Sequence, residues 1–276
     1  MKCDLTVIIL TKNEEINIKD CIDSIKEIAK RIIVVDSYSE DKTIQIAKKM
    51  KAEVYQHVFE THARQFMYAL EIANIDTKWV LKLDADERMT EKSRNELSQL
   101  CNENNYTCIN GIVLRFKKNF LGKDLHHGGV YPWEKLSCYK FDYGFIEDRE
   151  MDEHIVLTQG KSIKMKNDSL HFDFKNLEFF INKHNWYSTK ETNDYFKFKK
   201  EKDSKEKTNI KTWIKNNIYY SLPMGLRAHI YYLYRYYFKL GFLDGKEGKI
   251  YAFMQAYWYR YLIDAKIYEH KKQNIS

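Results

Sequence analysis

The chain is poor in the residues that break regular structure, with 2 prolines and 10 glycines in 276 positions. That excludes a collagen-like or Pro/Gly-rich disordered class. Its 5 cysteines form no CxxC pair and no regular framework. A disulfide-stapled secreted fold is therefore not expected, and the scattered thiols fit a reducing compartment. No stretch reaches the roughly 18–20 uninterrupted apolar residues of a membrane span. The apolar start at residues 5–10 is too short for a signal peptide: it follows Asp4 and runs into Lys12-Asn13-Glu14-Glu15 with no small-residue cleavage site. The expectation is a soluble or peripheral protein of the cytoplasm.

What is present is a chain of 44% hydrophobic, 15% aromatic and 31% charged residues. This permits a sizeable core, in one large domain with an appendage or in two small ones. The net charge is +7, and residues 208–276 hold eleven Lys/Arg against four Asp/Glu, which is the whole surplus. A basic segment rich in Tyr and Trp suits an anionic membrane surface or nucleic acid. A solvated helical face explains it equally well.

The first 110 residues alternate two patterns. A continuous apolar run at 5–10 reads as a strand buried on both faces, RIIVVD at 31–36 as a second buried strand, and 52–57 and 79–84 as a short third and a fourth. Between them, residues 17–28, 39–50 and 63–73 carry helical spacing, as does 91–101 after the last strand. A β-α-β-α order implies a mostly parallel, Rossmann-like α/β sheet with flanking helices. Strand patterns at 109–116 and 134–139 enclose a Gly-rich loop at 122–132, more strand-like pieces fall within 145–170, and 174–195 reads as a helix. Residues 197–207 are charge-dense, a linker or exposed helix. Beyond them, 210–220, 225–240 and 249–270 read as aromatic-rich helices. The expected organisation is a catalytic domain at 1–207, split into halves at 110/111, and a helical basic extension at 208–276.

The segment Leu83-Asp84-Ala85-Asp86-Glu87 ends the fourth strand. Ligands of open α/β sheets bind outside the carboxyl ends of strands. Two carboxylates one residue apart at such an end can face one hard cation, Mg²⁺ or Mn²⁺, which takes oxygen ligands and bridges protein to substrate phosphates. The plain alternative is a helix N-terminus with acidic neighbours, since Thr90 and Glu91 follow closely. Context favours chemistry. The first strand ends in Thr11-Lys12-Asn13-Glu14-Glu15 and the second in Asp36-Ser37-Tyr38-Ser39-Glu40-Asp41-Lys42-Thr43. Three strands thus deliver carboxylates to one edge, where they can accept hydrogen bonds from a ribose or a base.

TKNEE, IIVVDSYSEDKT and WVLKLDADE, in that order over residues 4–110, resemble the nucleotide-binding half of the family 2 glycosyltransferases, which have the GT-A fold. DADER, Met151-Asp152-Glu153-His154, Leu170-His171-Phe172 and Gly241-Phe242-Leu243-Asp244-Gly245 resemble the lipopolysaccharide-core β-glucosyltransferase subgroup. There the segment before the final strand reads Val-His-Glu, so Asp152 stands where His is usual. The resemblance implies that Asp36 contacts the base and that Thr11, Asn13 and Glu15 line the nucleoside pocket. It places Arg64 toward the nucleotide, Asp84 near the ribose and Asp86 as the main metal ligand, with His171 as a further ligand or a diphosphate contact. Arg64 is equally readable as a surface helix charge.

Transfer also needs a group that takes the acceptor's proton, a role that suits a partly desolvated carboxylate. Glu147, Asp148, Asp152 and Glu153 are candidates; Glu153 matches the family's Glu, and Asp152 stands second. His126-His127-Gly128-Gly129 lacks a partner set for a metal and reads as a flexible acceptor-side loop, with Trp133 as a stacking platform. Tyr231, Tyr232, Tyr234, Tyr236 and Tyr237 read as helix packing plus an interfacial belt. The leading expectation is an inverting, Mg²⁺- or Mn²⁺-dependent glycosyltransferase. It takes a nucleotide-sugar donor, UDP-linked, and a glycan or glycolipid acceptor of the cell surface. It touches the inner face of the membrane peripherally and binds no nucleic acid. A sugar-phosphate nucleotidyltransferase ranks lower, because no early Gly-rich phosphate loop with a Lys or Arg is present. A non-catalytic membrane- or nucleic-acid-binding module leaves the three acidic strand ends unexplained.

Overall fold

The computed structural model describes residues 2–103, 108–148, 153–173, 175–201 and 222–273, with the side chains of 197–201 excepted. The chain divides into two compact units, residues 1–118 with 132–173, and residues 119–131 with 174–276. The expected boundary at 207/208 and the helix expected at 210–220 lie outside the described residues, as does Asp152.

The first unit begins with four parallel strands, β1 (Leu5–Thr11), β2 (Arg31–Asp36), β3 (Glu53–Gln56) and β4 (Trp79–Asp84). Helices α1 (Ile18–Ile25), α2 (Thr43–Lys49) and α3 (His62–Ile72) connect them. Every residue of β1 is buried, as a strand covered on both faces requires. Successive side chains point to opposite faces. Val7, Ile9, Val34, Leu81 and Leu83 meet Ile18, Ile22 and Ile25 of α1 on one face. Ile8, Leu10, Ile33, Val35 and Val80 meet Ala63, Phe66 and Ala69 of α3 on the other.

After the two-residue β5 (Glu87–Arg88) comes α4 (Glu91–Asn102), followed by β6 (Ile109–Phe120), β7 (Lys123–Leu125), β8 (Trp133–Lys140), β9 (Gly144–Ile146), β10 (Ile155–Leu157) and β11 (Lys161–His171). The sheet order is β3-β2-β1-β4-β8-β6-β11-β5, with β7 beside β6 and a separate β9–β10 pair. β8 runs antiparallel to both β4 and β6, and β11 is parallel to β6. The expected mostly parallel α/β sheet with flanking helices is present, and its second half is mixed.

Thr61 caps α3 and Thr90 caps α4, each side chain accepting a backbone N–H. Capping of α4 is thus supplied by Thr90 with Glu91 in the first turn. Asp84 and Asp86 are left for something else.

The second unit is helical: α5 (Leu177–Glu201), α6 (Leu226–Leu233), α7 (Gly245–Ala252) and α8 (Tyr259–Gln273). The expected helices at 225–240 and 249–270 are seen, each interrupted by a π-helical segment, Tyr234–Phe238 and Phe253–Trp258. Tyr259, Ile263 and Ile267 of α8 pack with Tyr187 and Tyr195 of α5. The histidine loop is tethered in this unit. Asp244 Oδ2 accepts from the backbone N–H of His126 at 3.1 Å and of His127 at 2.8 Å, and Oδ1 lies 2.8 Å from His127 Nδ1. Arg235 Nε donates to Gly128 O at 2.6 Å. Where flexibility was expected, the structure shows four anchors, because a buried carboxylate and a buried guanidinium each require partners.

Candidate functional site

The parallel register places the acidic strand ends side by side, Thr11 opposite Asp36 and Leu10 opposite Asp84. Asp36 is fully buried. Its Oδ2 accepts from Thr11 Oγ1 at 2.9 Å and from Ser39 Oγ at 2.5 Å, and its Oδ1 accepts from Ser39 N–H at 2.8 Å. Asn13 holds a left-handed backbone at φ 54. Its N–H donates to Ser39 Oγ at 2.7 Å, and its Oδ1 accepts from Glu40 N–H at 2.9 Å. Glu15 N–H donates to Asp41 Oδ2 at 3.0 Å and Glu15 Oε2 accepts from Lys42 N–H at 3.1 Å. The loops after β1 and β2 are therefore laced into one rigid rim by Thr11, Asn13, Glu15 and Asp36. Arg64, in the first turn of α3, does not join that rim. It is half exposed and forms a two-point ion pair with Asp148, 3.0 Å from Nε and 2.6 Å from Nη2.

At the end of β4 a second network is partly buried, with Lys82 and Glu87 its most enclosed members. Lys82, on the same strand, lies 3.4 Å from Asp84 Oδ1 and 3.3 Å from Glu153 Oε1. Lys135 of β8 lies 3.1 Å from Asp84 Oδ2 and 2.5 Å from Glu87 Oε1. Glu87 Oε2 accepts the backbone N–H of Asp84 at 3.0 Å. Burial alone would push the Asp84 carboxyl up, but Lys135 and Lys82 outweigh it and hold it well below the usual carboxylate range. Burial, opposed by Lys135, leaves Glu87 raised. Burial would lower the Lys135 ammonium; Asp84 and Glu87 reverse this and raise it.

The third cluster depends on β5. That short strand pairs antiparallel with β11, His171 opposite Glu87, while Phe172 N–H donates to Asp86 O at 2.8 Å. The pairing brings Asp86, His171 and Asp173 together, with one potential ligand atom of each within 4.8 Å of the others. His171 Nε2 lies 3.6 Å from Asp86 Oδ2. Buried Asp86 Oδ1 and His171 Nδ1 have no hydrogen-bond partner. Burying such groups unsatisfied costs about 1–3 kcal/mol each. Two carboxylates and an imidazole also match the donor preference of Mg²⁺ and Mn²⁺ better than that of a soft metal, so the residues fit such a cation. Against burial, which raises it, His171 holds the Asp86 carboxyl below the usual range. Asp173 additionally meets Lys118 Nζ at 3.2 Å. The ring of Trp133 lies 4.7 Å from that of His171.

The structure therefore gathers the sequence-derived residues into three groups: Thr11, Asn13, Glu15 and Asp36 in the rim, Asp84 with Glu153, and Asp86 with His171. Lys82, Lys135, Glu87 and Asp173 are the additions. Lys82 and Glu87 stand inside the quoted strand motif as charges in or beside a buried strand, a signal available in advance. Lys135 and Asp173 depend on strand pairings that the sequence alone does not show.

An open α/β sheet with an acidic rim, a partly buried lysine-carboxylate network and a cation-suited donor set defines an enzyme of the nucleotide-handling type. The model for the family described as glycosyl transferase family 2 matches residues 6–171, more than half of the chain, and the chain belongs to that family. It is 26% identical over 201 residues to an uncharacterized glycosyltransferase of Rickettsia typhi, covering 70% of this chain and 68% of that one. It is 28% identical over 120 residues to the SPbeta prophage-derived glycosyltransferase SunS of Bacillus subtilis, which is 43% of this chain and 28% of SunS. Among solved structures it is similar to glucosyl-3-phosphoglycerate synthase from Mycobacterium tuberculosis, in complex with Mn²⁺, uridine diphosphate and glucosyl-3-phosphoglycerate, at 20% identity and a TM-score of 0.33. That match spans 42% of this chain and 44% of the synthase. The expectation of a family 2 glycosyltransferase is borne out. Among the described residues no helix is long and apolar enough to cross a membrane.

Proposed function

We propose that this protein transfers a sugar, with inversion, from a nucleotide-diphosphate sugar to a glycan or glycolipid acceptor at the inner face of the membrane. The observation that carries the reading is the Asp86–His171–Asp173 cluster, whose buried Asp86 Oδ1 and His171 Nδ1 lack partners, on the same chain segment as Asp84 of the Lys82–Glu153 network. Asp86, His171 and Asp173 would hold Mg²⁺ or Mn²⁺, which when bound neutralises charge on a diphosphate leaving group. Thr11, Asn13, Glu15 and Asp36 form the rim of the nucleoside pocket, with Asp84 toward the ribose. Arg64 reaches the nucleotide by exchanging Asp148 for a donor phosphate, which offers the guanidinium two oxygens as the carboxylate does.

Glu153 takes the proton of the acceptor hydroxyl. The freed oxygen forms its bond to the anomeric carbon as the bond to the diphosphate oxygen breaks on the opposite face. An α-linked donor thus gives a β-linked product. Lys82 fixes the Glu153 carboxylate in place for that transfer. Asp152 is the second candidate for the proton acceptor.

The test is hydrolysis of a panel of nucleotide sugars, a UDP-sugar first, measured with Mg²⁺, with Mn²⁺ and in excess EDTA. Nucleoside diphosphate release that EDTA abolishes and either cation restores is expected. Full release in excess chelator would remove the metal from the proposal.

A further inference from the structure

Helix α6 and the π segment after it are built inside out. Leu226, Ile230, Leu233, Tyr234, Tyr237 and Phe238 recur at steps of three and four residues, the spacing of a stripe that normally faces a core. Here every one of them is exposed, Phe238 at 80% and Tyr237 at 55%. The opposite side of the same turn sequence carries the charges. Arg227 and Arg235 are 5% and 8% exposed. Arg227 is ion-paired with buried Asp264, and Arg235 donates to Gly128 O and, at 2.7 Å, to Gln255 Oε1. The outward aliphatic and aromatic groups are therefore not surplus left over from a core, since this unit spends two buried guanidinium groups on holding them outward. The 3-10 turn Gly241–Asp244 extends the surface with exposed Phe242 and Leu243.

Charge selects the occupant. In residues 222–263 the exposed charged side chains are Lys239, Lys246 and Lys249, and the acids are withdrawn. Asp244 is buried, while Glu247 is half-buried and faces Lys123 at 3.6 Å. A second copy of the chain would bring one lysine-bearing face against another of the same sign. An anionic lipid surface meets the lysines with opposite charge and accepts the rings at its interface, where aromatic side chains concentrate.

We propose that the outward stripe Leu226, Ile230, Leu233, Tyr234, Tyr237 and Phe238, with Lys239 beside Tyr234 and the exposed Lys246 and Lys249 of the same unit, is a docking face that lies in the surface of an anionic bilayer. The idea deepens the proposed reaction, because a glycolipid acceptor resides in that surface, but it rests on the second unit's own residues and is measured without any sugar transfer.

The experiment is flotation of the full chain with phosphatidylcholine vesicles, with and without phosphatidylglycerol. The wild type is expected to float with the anionic vesicles, to float poorly with the neutral ones and to be released by salt. The exposed pair Tyr237→Ser with Phe238→Ser should lower partitioning at least about tenfold, as the loss of two buried rings implies. The triple change Lys239→Glu, Lys246→Glu and Lys249→Glu should remove the preference for anionic lipid. Both variants should melt as the wild type and hydrolyse donor as it does. Should a variant fold poorly, hydrogen exchange of the wild type decides, with amides in 226–243 expected to gain protection when anionic vesicles are added. Equal flotation of wild type and the serine pair, or unchanged exchange, overturns the proposal. So does a wild-type dimer that the serine pair dissolves while no vesicle binding is seen. A chain that floats but hydrolyses no donor sinks the proposed reaction and leaves the docking face standing.

Discussion

Asp84 and Asp86 leave one strand two residues apart, yet the molecule surrounds them in opposite ways. Asp84 has a lysine on each oxygen, Lys82 on Oδ1 and Lys135 on Oδ2, and the pairs hold its carboxyl well below the usual range. Asp86 faces an imidazole at 3.6 Å and a second carboxylate, and one of its oxygens is buried with no hydrogen bond. A carboxylate already neutralised by two ammonium groups gains little from a further cation. One grouped with Asp173 and an imperfectly placed His171 gains a great deal. The difference separates a lysine-paired carboxylate, placed toward the ribose in the proposed reaction, from one proposed to hold a metal, and each side of that division can be attacked separately.

The largest effect is expected on the Asp86 side. Asp86→Ala should lower transfer by about 10³-fold or more, since charge stabilisation by a metal is worth several kcal/mol and each 1.36 kcal/mol is a factor of ten. The melting temperature without added metal should hardly fall, because the substitution removes an unsatisfied group. Binding of Mn²⁺, followed by calorimetry, should be lost. Asp84→Asn should leave Mn²⁺ binding largely intact. If both substitutions abolish Mn²⁺ binding alike, the division between the two carboxylates is wrong.

Next is stability on the Asp84 side. Lys135→Met leaves buried Glu87 and half-buried Asp84 without their shared partner. Breaking a buried pair from one side costs about 3–5 kcal/mol, and the lower end is expected here because Lys82 still faces Asp84. The sign of the pH dependence is fixed. A carboxyl depressed in the folded state contributes stability above its unfolded value of about 3.9, and that contribution disappears as pH falls through the folded value. The gap between wild type and Lys135→Met in chemical denaturation should thus be full at neutral pH and narrow on acidification, as the carboxyls left without Lys135, Glu87 first, take up protons in the variant. A gap that widens on acidification would contradict the pairing.

These two sides were unequally visible in the sequence. The continuous apolar run of β1 and the helical spacing of α1 announced a parallel sheet, because burial on both faces permits little else. Thr90, just ahead of α4, was equally readable as a cap. Asp36, Asp84 and Asp86 could be placed at strand ends because strand length is a local property. Asp173 could not be placed, since its approach to Asp86 is set by the two-residue strand β5 folding against β11, a pairing between segments more than 80 positions apart. Lys135 arrives through the antiparallel insertion of β8 beside β4, where a purely parallel sheet would have put another strand. The helix at 225–240 was legible as a helix, but which face it buries was not. Apolar periodicity predicts one orientation and the ion pair of Arg227 with Asp264 imposes the other.

A smaller effect is expected where the two sides meet the reaction. Glu153→Gln keeps size and removes the proton-accepting charge, so turnover should fall about 10²-fold, within the usual worth of general-base catalysis. Donor binding and Mn²⁺ binding should be unchanged, which separates this loss from that of Asp86→Ala. Normal transfer by Glu153→Gln together with an inactive Asp152→Asn would move the role to Asp152.

The smallest effect tests whether the Asp84 side is linked to Glu153 at all. Lys82 is buried within β4 and lies between the two carboxylates, 3.4 Å from one and 3.3 Å from the other. Both separations are longer than an ideal charged hydrogen bond, so each contact sits at the weak end of its range of about 1.5–3 kcal/mol. Lys82→Met retains the length and apolar body of the side chain while removing its charge. Glu153 then keeps its proton-accepting oxygens but loses the group that fixes them. Turnover should fall about tenfold, the equivalent of about 1.4 kcal/mol, with a smaller change in the donor KM, because Lys135 still holds Asp84 and the rim formed by Thr11, Asn13, Glu15 and Asp36 is untouched. Lys82→Arg restores a cation in reach of both carboxylates and should recover part of the lost turnover. A merely structural lysine predicts another pattern, in which Met and Arg lower the melting temperature in proportion to any activity lost. Unchanged kcat in Lys82→Met would show that Glu153 needs no partner, and the network at the end of β4 would then belong to folding alone.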